Sequence, residues 1–370
     1  MANNNKHTGP NVPALRFPEF SGEWEKVLLS SACEINPKTG SLDNQFLYID
    51  LESVVKGSLV KRQIIEKDGA PSRAQRVLKE NDILYQCVRP YQLNNYIFEG
   101  DTIQCVASTG YAQLRTTQFP LYIFQALHTK QFTNQVLERC TGTNYPAINS
   151  SDLGTVEVPI CSLPEQVKIG SLLALIDSRI KTQSKIIEEQ ETLLRSLRHK
   201  LFDQCLDSHT QCRIGDILSI GSGKDYQHLR EGEIPVYGTG GLISHVNESL
   251  YDGESVCIGR KGTINKPLYL SGRFWTVDTL FYTHSFNGIL PRFCYHLFCT
   301  IDWLTYNEAS GVPSLSKSTI EKILVSIPQI DIQKRIVQIL DSIEEKINID
   351  RNTLLDYQKQ KIHLLSRMFI

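Results

Sequence analysis

Two stretches of this 370-residue chain are versions of one another, and any acceptable fold has to accommodate the duplication. A shift of 167 positions carries Pro146 onto Pro313, Val158 onto Val325, Ile160 onto Ile327, Gln166 onto Gln333, Ile169 onto Ile336 and Leu173 onto Leu340. It also carries Ile176 onto Ile343, Ile180 onto Ile347, Leu197 onto Leu364 and Phe202 onto Phe369, with no gap over 57 positions. The chain reads as two tandem units, each a globular segment of its own sequence followed by a repeated helical one.

The period inside the repeat says what it builds. Ile169, Leu173, Ile176, Ile180, Gln183, Ile187, Gln190, Leu194, Leu197 and Leu201 follow one another by alternating steps of four and three. Ile336, Leu340, Ile343, Ile347, Asp350, Leu354, Tyr357, Lys361, Leu364 and Met368 keep the same steps. A sustained period of 3.5 means helices supercoiled against a partner. Pro164 stands where a first helical turn tolerates proline. Each helix would run for about 40 residues, roughly 60 Å.

Connectivity then predicts an arrangement. The first helix leaves the first globular segment near Pro159 and delivers the chain to the second near Cys212, so a second helix packing along the first must run back antiparallel. The expected fold is α+β, a pseudo-two-fold tandem repeat in which two long antiparallel coiled-coil helices separate two globular domains. The segments are an N-terminal arm at 1–22, a domain at 23–161, a helix at 162–206, a domain at 207–327 and a helix at 328–370. Helix pairing is assigned to Ile169, Leu173, Ile176, Ile180, Leu197, Leu201, Ile336, Leu340, Ile343, Ile347, Leu364 and Met368.

Composition narrows the class. No apolar run approaches 18 residues and the opening MANNNKHTGPNVP has no signal-peptide core, so a cytoplasmic, non-membrane protein is expected. The ten cysteines form no C-x-x-C pair; Cys294 with Cys299 and Cys205 with Cys212 match no zinc motif, and neither does a set of Cys294, Cys299, His284 and His296. Free thiols and no metal are the expectation.

Residues 23–160 hold 13 Lys and Arg against 15 Asp and Glu, and residues 207–327 hold 10 against 12. The bulk basicity of many nucleic-acid binders is missing, so binding of that kind would need clustered cations or a partner. Clusters exist at Lys61 and Arg62, at Arg73, Arg76 and Lys79, and at Arg260, Lys261 and Lys266, although solvated loop charges explain each equally well.

Strand-like runs occur at Phe46 to Val54, Asp82 to Val88, Thr102 to Ala107, Ile234 to Ser244 and Glu254 to Gly262, and a helical run at Phe119 to Cys140. An arginine follows a strand in both segments, Arg89 and Arg260. Lys224 and Lys261 also lie beside turns, and Tyr237 adjoins the Gly238 to Gly241 turn. Gly221-Ser222-Gly223-Lys224 is followed by Asp225 and is not a phosphate-binding loop; Gly238-Thr239-Gly240-Gly241 lacks the third glycine of a dinucleotide fingerprint. No Asn-Pro-Pro-Tyr or Asp-Pro-Pro-Tyr run is present, and no histidine pairs visibly with a nucleophile, so no catalytic residue is assigned.

The stretch TGTNYPAINSSDLGTVEVPICSLPEQVKIGSLLALID, with the heptad helix ending in Arg198-His199-Lys200-Leu201-Phe202, resembles the specificity subunits of type I restriction-modification systems. The second copy, SGVPSLSKSTIEKILVSIPQIDIQKRIVQIL, is a looser version with Ile332 in place of Glu165. LRFPEFSGEWEKVLL, IPVYGTGGLI and IGRKGTINKPLYLSGRFWTVDTLF are similar to that family too, so the likeness runs from about Leu15 to the C-terminus.

The resemblance implies two target-recognition domains, each reading half of a split double-stranded DNA sequence, with the helices as a ruler. It implies docking of two methyltransferase subunits and, through them, two restriction and translocation subunits; S-adenosylmethionine, ATP and magnesium would serve those partners. Adenine would be the methylated base. The DNA-binding candidates are then Lys61, Arg62, Arg89, Lys224, Tyr237, Arg260, Lys261 and Lys266. A single-chain nucleic-acid-modifying enzyme and a coiled-coil scaffold for proteins or glycans are the alternatives.

Overall fold

The computed structural model describes residues 11–142, 144–204 and 210–370; Cys205 and the start of the arm lie outside them. The chain divides into two units, one running to Thr182 and including Thr353–Ile370, the other Gln183–Asn352. The boundaries cut both long helices, so each unit owns one globular body and part of each helix.

In the first unit come β1 (Glu25–Leu28), α1 (Leu29–Ala32), β2 (Cys33–Ile35), β3 (Gln45–Ile49), the hairpin β4 (Val54–Val55) and β5 (Ser58–Leu59), β6 (Gln63–Glu66), β7 (Ala74–Val77), β8 (Ile83–Gln86), β9 (Tyr96–Ile97), β10 (Cys105–Ser108) and β11 (Tyr111–Thr116). Then follow α2 (Pro120–Ala126), α3 (Lys130–Glu138), α4 (Ser150–Gly154), β12 (Glu157–Ile160) and the long α5 (Leu163–Gln204). Two four-stranded sheets form in the orders β6-β3-β10-β7 and β2-β11-β8-β9. β3 and β10 run parallel, and β12 returns antiparallel to β1 with Val158 opposite Val27.

The second unit supplies β13 (Thr210–Arg213), α6 (Ile214–Ile217), β14 (Ser219–Ser222), β15 (Ile234–Gly238), β16 (Gly241–Val246), β17 (Tyr251–Asp252), β18 (Ser255–Gly259), β19 (Leu268–Leu270), β20 (Arg273–Thr276), β21 (Leu280–His284), α7 (Pro291–Phe298), α8 (Lys317–Lys322), β22 (Leu324–Ile327) and the long α9 (Ile330–Met368). Its sheets read β16-β15-β20-β17 and β14-β21-β18-β19. β15 and β20 are the parallel pair, and Val325 of β22 faces Cys212 of β13. The fold is an α+β tandem repeat, and the repetition reaches through both sheets, well beyond the stretch where the sequences match.

Local chemistry explains the shared landmarks. Pro120 and Pro291 open α2 and α7, where a missing N–H costs nothing. Asn149 and Ser316, 167 apart, cap α4 and α8 by accepting from the Asp152 and Thr319 amides. Buried Gln166 and Gln333 make matching clamps. Gln166 accepts from the Phe119 amide at 3.1 Å and donates to Cys161 O at 2.8 Å; Gln333 accepts from Leu290 N at 2.9 Å and donates to Pro328 O at 2.9 Å. Each ties the start of a long helix to the start of a domain helix, so loss of the amide would strand buried donors and acceptors.

Three expectations change, and one of them is the strand read over Thr102 to Ala107, which begins only at Cys105 after the Asp101 carboxylate accepts from Thr102 N and Ile103 N. The strand read over Phe46 to Val54 stops at Ile49, because the Asp50 carboxylate accepts from Glu52 N and Ser53 Oγ and turns the chain. The helical run from Phe119 to Cys140 breaks in two, with Thr129 capping α3 through the Phe132 amide.

The helices run antiparallel within each unit. In the first, Ile169, Leu173, Ile176 and Ile180 from the start of α5 share a core with Leu364 and Met368 from the end of α9. In the second, Gln190, late in α5, donates to Asp350 of α9 at 2.9 Å. Ile336, Leu340 and Ile347 are buried, and Leu197, Leu201 and Ile343 half-buried. Gly170 is required by proximity: a Cβ there would lie 2.7 Å from Tyr122 N.

Candidate nucleic-acid interface

Backbone bonds align the loops of the two domains residue by residue. Ile148 N donates to Cys87 O at 3.0 Å, and Leu315 N to Arg260 O at 2.9 Å; Arg89 N donates to Pro146 O and Gly262 N to Pro313 O, both at 2.8 Å. Since 148 and 315, and 146 and 313, are repeat partners, Cys87 corresponds to Arg260 and Arg89 to Gly262. Arg89 (φ 54°) and Gly262 (φ 91°) share the left-handed conformation. Arg89 and Arg260 both follow a strand, as the sequence indicates, yet they occupy different places in one loop.

In the second unit this loop borders an open cleft of about 670 Å³. Arg260, Lys261 and Lys317 line it together with Asp278 and Glu308. Glu308 is already engaged, accepting from the Thr319 hydroxyl and from Ser316 Oγ at 2.7 Å, bonds that hold its carboxyl below the usual range. The cleft has room for an anionic ligand beside three cations with no carboxylate partner among the described residues. Lys224 and Lys266 are exposed outside it; Lys224 is also anchored through its carbonyl, which accepts from Trp275 Nε1 at 2.8 Å. Tyr237 sits in the β15–β16 hairpin, and its half-buried ring packs with the Cys257, Phe274 and Leu280 core.

The first unit arranges its cations otherwise. Lys61 lies 3.9 Å from Asp50, and Arg62 is bonded to Asp101 at 2.6 Å, which lowers the Asp101 carboxyl and raises the guanidinium. Both belong to surface ion pairs. Arg89 instead lies over the ring of exposed Tyr145, 4.4 Å from its centroid, with no carboxylate among the described residues.

Several polar groups on the helices escaped the sequence reading. Asp177 of α5 accepts from Gln125 of α2 at 2.7 Å and pairs with Lys361 of α9 at 2.5 Å. Its repeat partner Glu344 of α9 bonds Arg198 of α5 and, at 2.5 Å, Arg292 of α7. The signal was available, because the 167-residue shift lays one acid on another. The Arg16 to Glu165 pair, at 2.7 Å and buried, had no such signal.

Buried His296 accepts from Arg198 Nε at 3.2 Å on Nδ1 and faces Asp341 from Nε2 at 2.8 Å, and burial lowers its pKa. His296, Asp341 and Glu344 are close enough to surround an ion, but Arg198 and Arg292 already neutralise the acids. His284, grouped with His296 by sequence, bonds Ser285 and stacks near Tyr251 and Tyr282 instead.

A second apolar series lies outside the paired seam. Ile186 and Leu193 on α5, Ile332 and Ile339 on α9, and Leu355 and Ile362 on α9 are exposed, each pair spaced by seven residues. That spacing returns side chains to one helix face. No described helix is long and apolar enough to cross a membrane.

Comparison with known proteins gives a consistent result. The sequence profile described as "Type I restriction modification DNA specificity domain" matches residues 21–192 and again 209–356. The EcoprrI specificity subunit of Escherichia coli is 24% identical over 146 residues, 36% of either chain, and the MjaIX specificity subunit of Methanocaldococcus jannaschii is 22% identical over 293 residues, 67% of either. The chain spans about a third of the length of the first curated relatives it matches. The crystal structure of a type I restriction-modification S subunit from M. genitalium superposes with TM-score 0.69 at 19% identity, covering 97% of this chain and 99% of that one.

Proposed function

The chain belongs to the family of type I restriction-modification DNA specificity domains, and from that premise we propose that it selects the DNA target for a complex whose catalytic subunits are other chains. Each globular domain reads one half of a bipartite duplex sequence. The paired helices hold the domains and dock two methyltransferase subunits and, through them, two restriction and translocation subunits. S-adenosylmethionine, ATP and magnesium belong to those partners.

One observation carries this reading: a single sheet topology occurs twice with unmatched side chains at matched loop positions, Cys87 against Arg260 and Arg89 against Gly262. Equal scaffolds with unequal loops suit two half-sites of unequal sequence, since base readout depends on which side chains reach the groove edges. The heptad-spaced exposed apolar residues favour helical partners on α5 and α9. The near-neutral net charge of −1 is compatible with partners supplying much of the phosphate contact.

Methylome sequencing of cells carrying this chain with its methyltransferase partner tests the proposal. A methylated adenine in a two-part sequence with a fixed spacer is the expected result. Methylation by the chain alone, or a sequence unaltered when either domain is exchanged, would contradict it.

A further inference from the structure

The loop from Arg89 to Leu93 in the first domain is strained and tied down by hydrogen bonds. Arg89 (φ 54°) and Leu93 (φ 53°), both non-glycine, take left-handed backbone on either side of the 3-10 turn Pro90–Gln92. Such conformations persist only where the surroundings over-determine them. Here the buried Gln86 does so, donating to Val88 O at 2.7 Å and to Gln92 Oε1 at 2.9 Å and accepting from Asn94 N at 3.2 Å.

The turn displays a cation in a defined pose. The Arg89 guanidinium lies over the exposed Tyr145 ring, 4.4 Å from its centroid, and Gly142 (φ 88°) comes so near the Tyr145 backbone that a Cβ there would lie 3.1 Å from Tyr145 O. Placement over the ring engages the guanidinium by cation–π attraction, which uses none of its five N–H donors as hydrogen-bond partners. The second domain lacks both members of the pair, with Gly262 at the Arg89 position and Val312 at the Tyr145 position of the repeat. Lys61 and Arg62, the other first-domain candidates, have carboxylate partners.

We infer that Arg89, held over Tyr145, is the residue through which the first domain reads a base edge. The two acceptors of guanine in the major groove are the chemistry that matches its fork. The inference rests on the proposed role in DNA selection.

The test is selection from randomised duplexes by the chain assembled with its methyltransferase subunits, comparing wild type with Arg89→Gly, Arg89→Lys and Tyr145→Leu. Glycine adopts the left-handed backbone freely, so Arg89→Gly keeps the turn while deleting the reader. Its preference at one guanine of one half-site should fall about 10- to 100-fold with the other half-site and the melting temperature unchanged. Lysine, without the fork, should not restore it, and Tyr145→Leu should weaken it in part. If wild type selects a two-part sequence and Arg89→Gly selects the same one, this inference alone is overturned. A fall in melting temperature with unchanged preference would likewise reassign Arg89 to a structural role. If the wild-type assembly selects no sequence, the proposed function falls with it.

Discussion

The two units share topology down to individual strand neighbours, yet they secure the long helices differently. In the first unit the arm and Trp24, just beyond it, do so. Leu15 N donates to Arg367 O at 2.8 Å, Arg16 pairs with Glu165 in a buried contact, and Trp24 packs edge-on against Phe369 at 6.1 Å. In the second unit the repeat partner of Glu165 is Ile332, which is exposed. The repeat preserves the Gln166 and Gln333 clamps and the Asp177 and Glu344 acids in both units, and diverges at the arm's partner, Glu165 in one copy and Ile332 in the other.

The largest expected effect tests whether the units fail separately. Trp24→Ala should cost the first unit about 3–5 kcal/mol by opening a cavity beside Tyr122 and Phe369. Calorimetry should show an early first-unit transition with the second unit's unmoved; a single shifted transition would mean that the units unfold as one.

Next comes the arm. Glu165→Ala should destabilise the first unit by about 3 kcal/mol, because Arg16 is left without its buried carboxylate. Ile332→Glu, which writes the first copy's residue into the second, should change stability by less than about 0.5 kcal/mol at that exposed position. Equal effects would erase the asymmetry.

In the first unit a pH dependence should be traceable to His128. Burial, reinforced by Lys361, pushes the His128 pKa down to about 4, and its Nδ1 faces Phe124 O at 2.6 Å. Between an unfolded value of about 6.5 and the folded value of about 4 the unfolded state binds the extra proton, so first-unit stability rises with pH across that window and falls as the pH drops through it. A loss of about 3 kcal/mol from pH 7 to pH 4, absent from His128→Gln in urea melts, is expected.

A further effect concerns the cleft. Arg260→Ala or Lys261→Ala should weaken DNA binding by the assembled complex by about 1 kcal/mol and lower the salt slope by about one unit for each phosphate that is no longer neutralised. The first half-site preference should stay intact. An unchanged slope would leave the cleft without a role in holding DNA.

The helices were legible in the sequence because heptad period and self-similarity are local. A 3.5-residue rhythm needs no knowledge of distant strands, and a constant shift of 167 lays one copy on the other. The absence of familiar phosphate-binding and methyltransferase motifs was readable for the same reason. The sheets were less so. Their order joins β3 to β10 across nearly 60 positions, and the matched topology of the two domains hides under unmatched side chains. Which cation is available depended on partners far along the chain, as when Asp101 engages Arg62, and only folding places Arg89 where the second domain has Gly262. The repeat, the heptad seam and the family resemblance were set by the sequence, since each is written in neighbouring residues. Which cations stand without a carboxylate, which acids are neutralised and which loop positions correspond were settled by folding, because those follow from contacts between residues that the chain keeps far apart.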